Sequence, residues 1–173
     1  MKLGPYFLYT SVAVLTVLLT AAPASAFDGR VVTVNDGDTV AVIDAQNIKH
    51  RVRIAGIDAP EKNQPFGPAA TESLARLTLG QRVEARCHKR DRYGREVCEV
   101  FAAGRDVGLE QLQSGLAWWY REYAREQPPD ERASYEAAET AARSAHRGLW
   151  RDEHPTPPWA WRKQMRSGRS PAA

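Results

Sequence analysis

Six charged residues cluster where short Val- and Ile-rich runs end: Asp36 and Asp38 in NDGDT, Arg53, Asp58 and Glu61 in VRIAGIDAPE, and Arg95 in DRYGR. Carboxylates with no nearby His or Cys make an oxygen-only ligand set, which suits a hard cation such as Ca²⁺ rather than zinc. Two guanidinium groups beside such a cation form a place for a phosphate, because each presents a planar fork to its oxygens. A phosphodiester repels an attacking hydroxide, so a catalyst must neutralise its charge, set a water in line and accept a proton. A cation, two arginines and a spare carboxylate would supply these three things. Singly, each residue has a structural use instead. Asp36-Gly37 can be a hairpin turn, Asp58 a strand end before Pro60, Arg53 a cross-strand ion-pair partner and Arg95 an exposed hairpin residue. Their joint occurrence is what points to chemistry.

Other chemistries lack their residues. His50, His88, His146 and His154 fit no HExxH or H-x3-H spacing, and Cys87 and Cys98 are not a CxxC pair. A Walker loop, a Gly-x-Ser-x-Gly elbow and a GxGxxG fingerprint are absent. At 173 residues the chain can fill one packed domain and is too short for two of ordinary size.

The elements that must position these residues can be read from periodicity and turn chemistry. Residues 27–34, 38–44 and 49–57 are Val/Ile-rich runs separated by Asn35-Asp36-Gly37 and Ala45-Gln46-Asn47, which predicts three successive antiparallel strands. In a regular strand Arg53 and Asp58 would point to opposite faces, so Gly56 is expected to mark a bulge or twist that brings them together. A helix over 69–79 follows the turn Pro65-Phe66-Gly67-Pro68 and stops at Gly80. The segment RVEARCHKRDRYGREVCEVF folds back near Arg92-Tyr93 as a hairpin that sets Cys87 opposite Cys98. The pair is then either a cross-strand disulfide or two buried thiols. Asp106 is placed to N-cap a helix reaching Gln113, and 116–123 reads as an aromatic extended segment. Pro128-Pro129-Asp130 opens a helix to about Ala145, whose Ala133, Ala137 and Ala141, with Ala138 and Ala142 beside them, form a small-residue face suited to close packing. Five short strands with interspersed helices predict an α+β fold, a small β-barrel with helices packed outside.

The two ends differ from this middle. Residues 1–26 carry one charge, Lys2, an apolar run and an Ala24-Ser25-Ala26 exit, the pattern of a cleaved secretion signal; an uncleaved anchor is the alternative, its apolar stretch being near the minimum spanning length. The chain is therefore expected in the periplasm or the medium, with no stable membrane insertion after cleavage. After Trp150 the composition turns to Pro, Trp and Arg, which reads as a tail of 151–173 with little structure of its own. That tail carries a net +3 while residues 27–150 stand at −1, so polyanion binding has to come from a local patch or from the tail. Trp159, Trp161, Arg162, Lys163, Arg166 and Arg169 would let it tether the protein to envelope polyanions.

The runs NDGDTV, VRIAGIDAPE, FGPAATESL, DRYGREV, SGLAWWY and HRGLW occur in the order and approximate spacing of the staphylococcal nuclease (thermonuclease) family, which the chain resembles from about Phe27 to Trp150. The resemblance implies a five-stranded OB-type barrel with three helices. It implies a Ca²⁺-dependent endonuclease that cuts DNA and RNA, single-stranded or denatured favoured, and leaves 5′-hydroxyl and 3′-phosphate ends; a monomer is the default for a domain this small. By the same resemblance Asp38, Asp58 and the main-chain carbonyl of Ala59 would bind Ca²⁺, with Asp36 acting through water. Glu61 would orient or deprotonate the attacking water, and Arg53 and Arg95 would hold the scissile phosphate. Arg92, Tyr93 and Tyr123 match substrate contacts, whereas Trp118, Trp119 and Tyr120 read as packing. Ala59 replaces a threonine of the family pattern, the loop 62–66 is shorter and poorer in lysine, and Arg121 stands where a second tyrosine would align. The competing reading is a non-catalytic OB-type module that binds nucleic acid or another polyanion, since the fold hosts many functions.

Overall fold

The computed structural model describes residues 25–168; the expected leader lies outside this range except for Ser25 and Ala26. The strands are β1 (Ser25–Val34), β2 (Thr39–Asp44), β3 (Lys49–Ile54), β4 (Ile57–Asp58), β5 (Arg82–Arg90), β6 (Glu96–Ala102), β7 (Arg105–Asp106) and β8 (Trp118–Trp119). The helices are α1 (Gly67–Thr78), α2 (Val107–Gln113), α3 (Pro129–Ser144) and α4 (Pro158–Arg166), with short 3-10 turns at Arg121–Glu126 and Gly148–Arg151.

Alternation with period two builds the barrel. Val52 and Ile54 of β3, Val83, Ala85 and Cys87 of β5, and Cys98, Val100 and Ala102 of β6 all turn inward and are buried. The strands run in the order β3-β2-β1-β5-β6, and a parallel pairing of β3 with β6 closes them into a five-stranded barrel. Closure removes the open edges that such short strands would otherwise expose. Cys87 lies opposite Cys98 and the two are joined by a disulfide, beside a register shift at His88. Of the helices, α1 contributes Ala70 and Leu74 to the core, and α2 contributes Val107 and Leu112. Asp106 caps α2 by accepting from the backbone N–H groups of Gly108 and Leu109.

Four expectations need correction. The run 49–57 is two strands: the chain turns at Ala55-Gly56, where Gly56 takes a φ of 71°, a backbone conformation disfavoured by a Cβ. The segment 116–123 is extended only at Trp118–Trp119, because its pairing partner β4 is just Ile57–Asp58, and the chain then tightens into the 3-10 turn. On α3 the expected stripe of Ala133, Ala137 and Ala141 is exposed, and the packed face is Tyr135, Ala138, Glu139 and Ala142. The large Tyr135 ring anchors that face, and one face of a helix is inward at the expense of the other. Lastly, the tail is not structureless. Pro157 and Pro158 preset a helix start, α4 forms, and Trp161 and Pro158 are buried.

Candidate active site

The turn Asn35–Asp38 is held from both ends. Asp36 Oδ1 accepts from the Asp38 N–H at 3.1 Å, and buried Gln111 of α2 donates to the carbonyls of Gly37 (2.8 Å) and Ala70 (3.1 Å). Gly37 is required there, since a Cβ would stand 2.6 Å from that of Ala59 and 2.7 Å from that of Ala70. The turn sets Asp38 against the strand that follows Gly56: Asp38 Oδ2 accepts from the Ala59 N–H at 2.8 Å, and Oδ1 accepts from Thr39 Oγ1 at 2.9 Å. Asp58 is fixed by the β4–β8 pairing, opposite Trp118.

Arg53 joins the two carboxylates. Its Nε lies 3.2 Å from Asp38 Oδ1, its Nη2 3.1 Å from Asp58 Oδ1, and its Nη1 donates to the Ile54 carbonyl at 2.6 Å. The turn at Gly56 thus brings Arg53 and Asp58 to the same face, as their odd spacing required. Arg95 arrives from the β5–β6 hairpin, where Asp91 accepts from its Nε at 2.8 Å, and its Nη1 reaches Thr39 Oγ1 at 3.3 Å. Glu61 follows the Pro60 exit from β4; its N–H donates to Gln64 Oε1 at 3.1 Å.

Together these residues floor an open groove of about 850 Å³. One wall is the hairpin with Lys89, Arg92 and Tyr93, and another is the 3-10 turn with Tyr123, together with Tyr120 just before it. Tyr93 is 62% exposed and Tyr123 40% exposed, so both rings present a face to solvent. The Arg92 guanidinium lies 5.1 Å from the centre of the Tyr93 ring, and Lys89 Nζ 4.5 Å from that of Tyr123. Trp118 and Trp119 are buried packing residues, whereas Tyr120 is half-buried at the rim.

Arg162, expected in a loose tethering tail, instead lines the groove from α4. Arg162 of α4 donates from Nη2 to Asp58 Oδ2 at 2.7 Å, and from Nη1 to Asp58 Oδ1 at 3.1 Å and Glu61 Oε1 at 2.8 Å. Trp159 stacks on Tyr120 with ring centres 5.6 Å apart and planes 4° from parallel, and Gln64 Nε2 donates to the Thr156 carbonyl at 2.6 Å. The signal was present in the Pro157-Pro158 start and the basic last turn of PWAWRKQMR, but composition outweighed it.

The electrostatics are those of carboxylates held out of water near fixed positive charge. Burial, reinforced by the Asp38 charge, pushes Asp36 up to about 6. Burial also raises Asp58, against the pull of Arg162 and Arg53. Buried carboxylates of this kind favour a bound cation. Among the described residues no three His, Cys, Asp or Glu side chains form a ready cage. The expected set needs only two carboxylates and a carbonyl, which leaves places for water and substrate oxygens, and its all-oxygen chemistry fits Ca²⁺.

The family model described as Staphylococcal nuclease homologue matches residues 51–152. A protein named micrococcal nuclease from Shigella flexneri is 39% identical over 168 residues, covering 91% of this chain and 93% of that protein. An uncharacterized endonuclease of Escherichia coli O157:H7 is 39% identical over 135 residues, 78% of this chain and 84% of its own length. A staphylococcal-like nuclease of Arabidopsis thaliana is 38% identical over 120 residues, 69% of this chain but only 35% of the plant protein. With the barrel closed as expected and the matched segment covering more than half of its length, the chain belongs to the staphylococcal nuclease family.

Proposed function

We propose that this protein is an exported, monomeric, Ca²⁺-dependent endonuclease that hydrolyses phosphodiester bonds of DNA and RNA with little sequence preference and leaves 3′-phosphate ends. The observation that carries this reading is the Arg53 fork between Asp38 and Asp58, beside Glu61, on the floor of a groove edged by basic and aromatic side chains. Export is supported by the leader pattern of residues 1–26 and by the Cys87–Cys98 pair.

Asp38, Asp58 and the Ala59 carbonyl would hold the cation, with Asp36 reaching it through water. When bound, the cation supplies positive charge against the phosphodiester and eases deprotonation of water. Arg53 and Arg95 bind the non-bridging oxygens and hold phosphorus in line with the incoming water. Glu61 accepts the proton at a carboxylate oxygen as the water oxygen bonds to phosphorus and the bond to the 5′ oxygen breaks, and the departing 5′ oxygen takes a proton from solvent water to leave as the hydroxyl. Tyr93 and Tyr123 offer faces on which any base can stack, which suits weak sequence preference and unpaired strands.

The test is cleavage of denatured DNA and RNA by the chain from Phe27, with Ca²⁺ and with chelator. Glu61→Ala and Arg95→Ala are each expected to lower the rate by about 100-fold or more. A folded, Ca²⁺-supplied chain that cuts neither substrate would overturn the reading, and retained DNA binding in that sample would favour the non-catalytic module.

A further inference from the structure

Arg162 engages both oxygens of Asp58 and one oxygen of Glu61, so a single guanidinium spans an expected cation ligand and the expected proton acceptor. It differs from Arg53 in how it is held. Arg53 is built into β3, has an 11% exposed side chain and donates to a backbone carbonyl as well as to the carboxylates. Arg162 comes from a nine-residue helix beyond the barrel, has a 34% exposed side chain, and sits on an element of which only Pro158 and Trp161 are buried. Arg162 is therefore the displaceable charge of the two.

We propose that Arg162 is an internal counter-cation that competes with the divalent metal for Asp58 and Glu61, so that α4 latches the site closed until metal and substrate displace it. This inference rests on the metal-dependent reading of the site given above. The docked guanidinium takes the lone pairs that the metal would use, repels a second cation placed beside it, and occupies Glu61 where the water would be activated. The aromatic contacts define the closed position, with Trp159 against Tyr120 and also 5.6 Å from Trp118 in an edge-on arrangement. With the latch open, Trp159 and Arg166, which line the groove, are free to meet substrate.

The experiment measures Ca²⁺ binding by titration calorimetry, and amide hydrogen exchange across residues 158–166, on the full chain and on Arg162→Ala and Arg162→Gln. A latch closed about nine-tenths of the time weakens metal binding about tenfold, so both variants are expected to bind Ca²⁺ about ten times more tightly than the parent. Ca²⁺ is expected to speed exchange across α4 in the parent, and to change it little in the variants, whose helix is already loosened. Equal or weaker Ca²⁺ binding in the variants would overturn the latch alone and make Arg162 a support for the ligands. Absence of Ca²⁺ binding and of cleavage in all three chains would overturn the nuclease reading and the latch with it.

Discussion

Arg53 is the residue that ties the site together, because its three guanidinium nitrogens each meet a different partner in a place with little water. Lysine there keeps the charge but cannot reach two carboxylates and a carbonyl at once. Arg53→Lys is expected to lower the cleavage rate by roughly 100-fold while retaining a folded barrel, which circular dichroism would confirm. The conflict between the odd spacing of Arg53 and Asp58 and a regular strand was visible in the sequence, and so was Gly56 as the place to resolve it. How completely the chain turns there was not, since it depends on Tyr120, whose N–H donates to the Gly56 carbonyl at 2.8 Å from far along the chain. A Cβ at Gly56 would meet the Gln127 side chain and the Tyr135 ring in addition to the strain of a positive φ. Gly56→Ala is thus expected to cost about 1–3 kcal/mol, measurable by urea denaturation.

Elements were legible where one segment contained its own instructions. The first two strands, the Asp106 cap and the Cys87–Cys98 hairpin are local patterns, and they form at or near the expected residues. The α3 face and α4 are set instead by what lies opposite them: Tyr135 hydroxyl donates to Asp106 at 2.9 Å and turns α3, and Trp118 and Tyr120 receive Trp159. Two element-scale predictions follow from the barrel. The disulfide closes a short loop, so reducing it is expected to lower stability by about 3 kcal/mol in the chain-entropy model, read from denaturation with and without reductant. The second concerns His50, which ties three strands: it contacts Asp44 of β2 at 3.0 Å and Glu96 of β6 at 2.8 Å, and stacks on Phe27 of β1. Burial works to lower its pKa, but the bonds to Asp44 and Glu96 outweigh burial and raise it above the ordinary 6.5. Its contribution to stability is full below 6.5 and is lost as pH rises through the raised value, whereas that of Asp44, held low by His50, is lost only as pH falls into the acid range. Denaturation at about pH 6 and about pH 8 should show this loss in the parent and a flatter response in His50→Gln.

At the scale of the whole molecule, charge is arranged rather than abundant. The residues from 27 to 150 carry no excess of positive charge, and the groove mixes both signs: Arg51, Arg90 and Arg92 line it, as do Lys89 paired with Glu126 and Arg95 paired with Asp91. Binding of a nucleic-acid strand there should weaken with salt, because each phosphate met by a basic residue releases counterions. Arg92 reaches outward beside Tyr93 and is proposed to contact substrate without touching the reacting phosphate. Arg92→Ala is therefore expected to raise KM several-fold with little change in kcat, and to reduce the slope of log KM against log salt by about one. Assays across a range of potassium chloride concentrations would check both.

The segment Arg151–Pro157 joins the barrel to α4, and its residues Arg151 to His154 are exposed. A short tether keeps a docked element at an effective concentration on the order of millimolar, whatever the concentration of the protein itself. Cutting that tether, for example at a protease site inserted between Glu153 and His154, would turn a permanent neighbour into a free peptide that dilution removes. At nanomolar protein and limiting Ca²⁺, the cut chain should outpace the intact one in initial rate, and added α4 peptide should restore the slower rate. Regulation by this helix would then depend on an unbroken backbone between Arg151 and Pro158 rather than on any diffusing inhibitor.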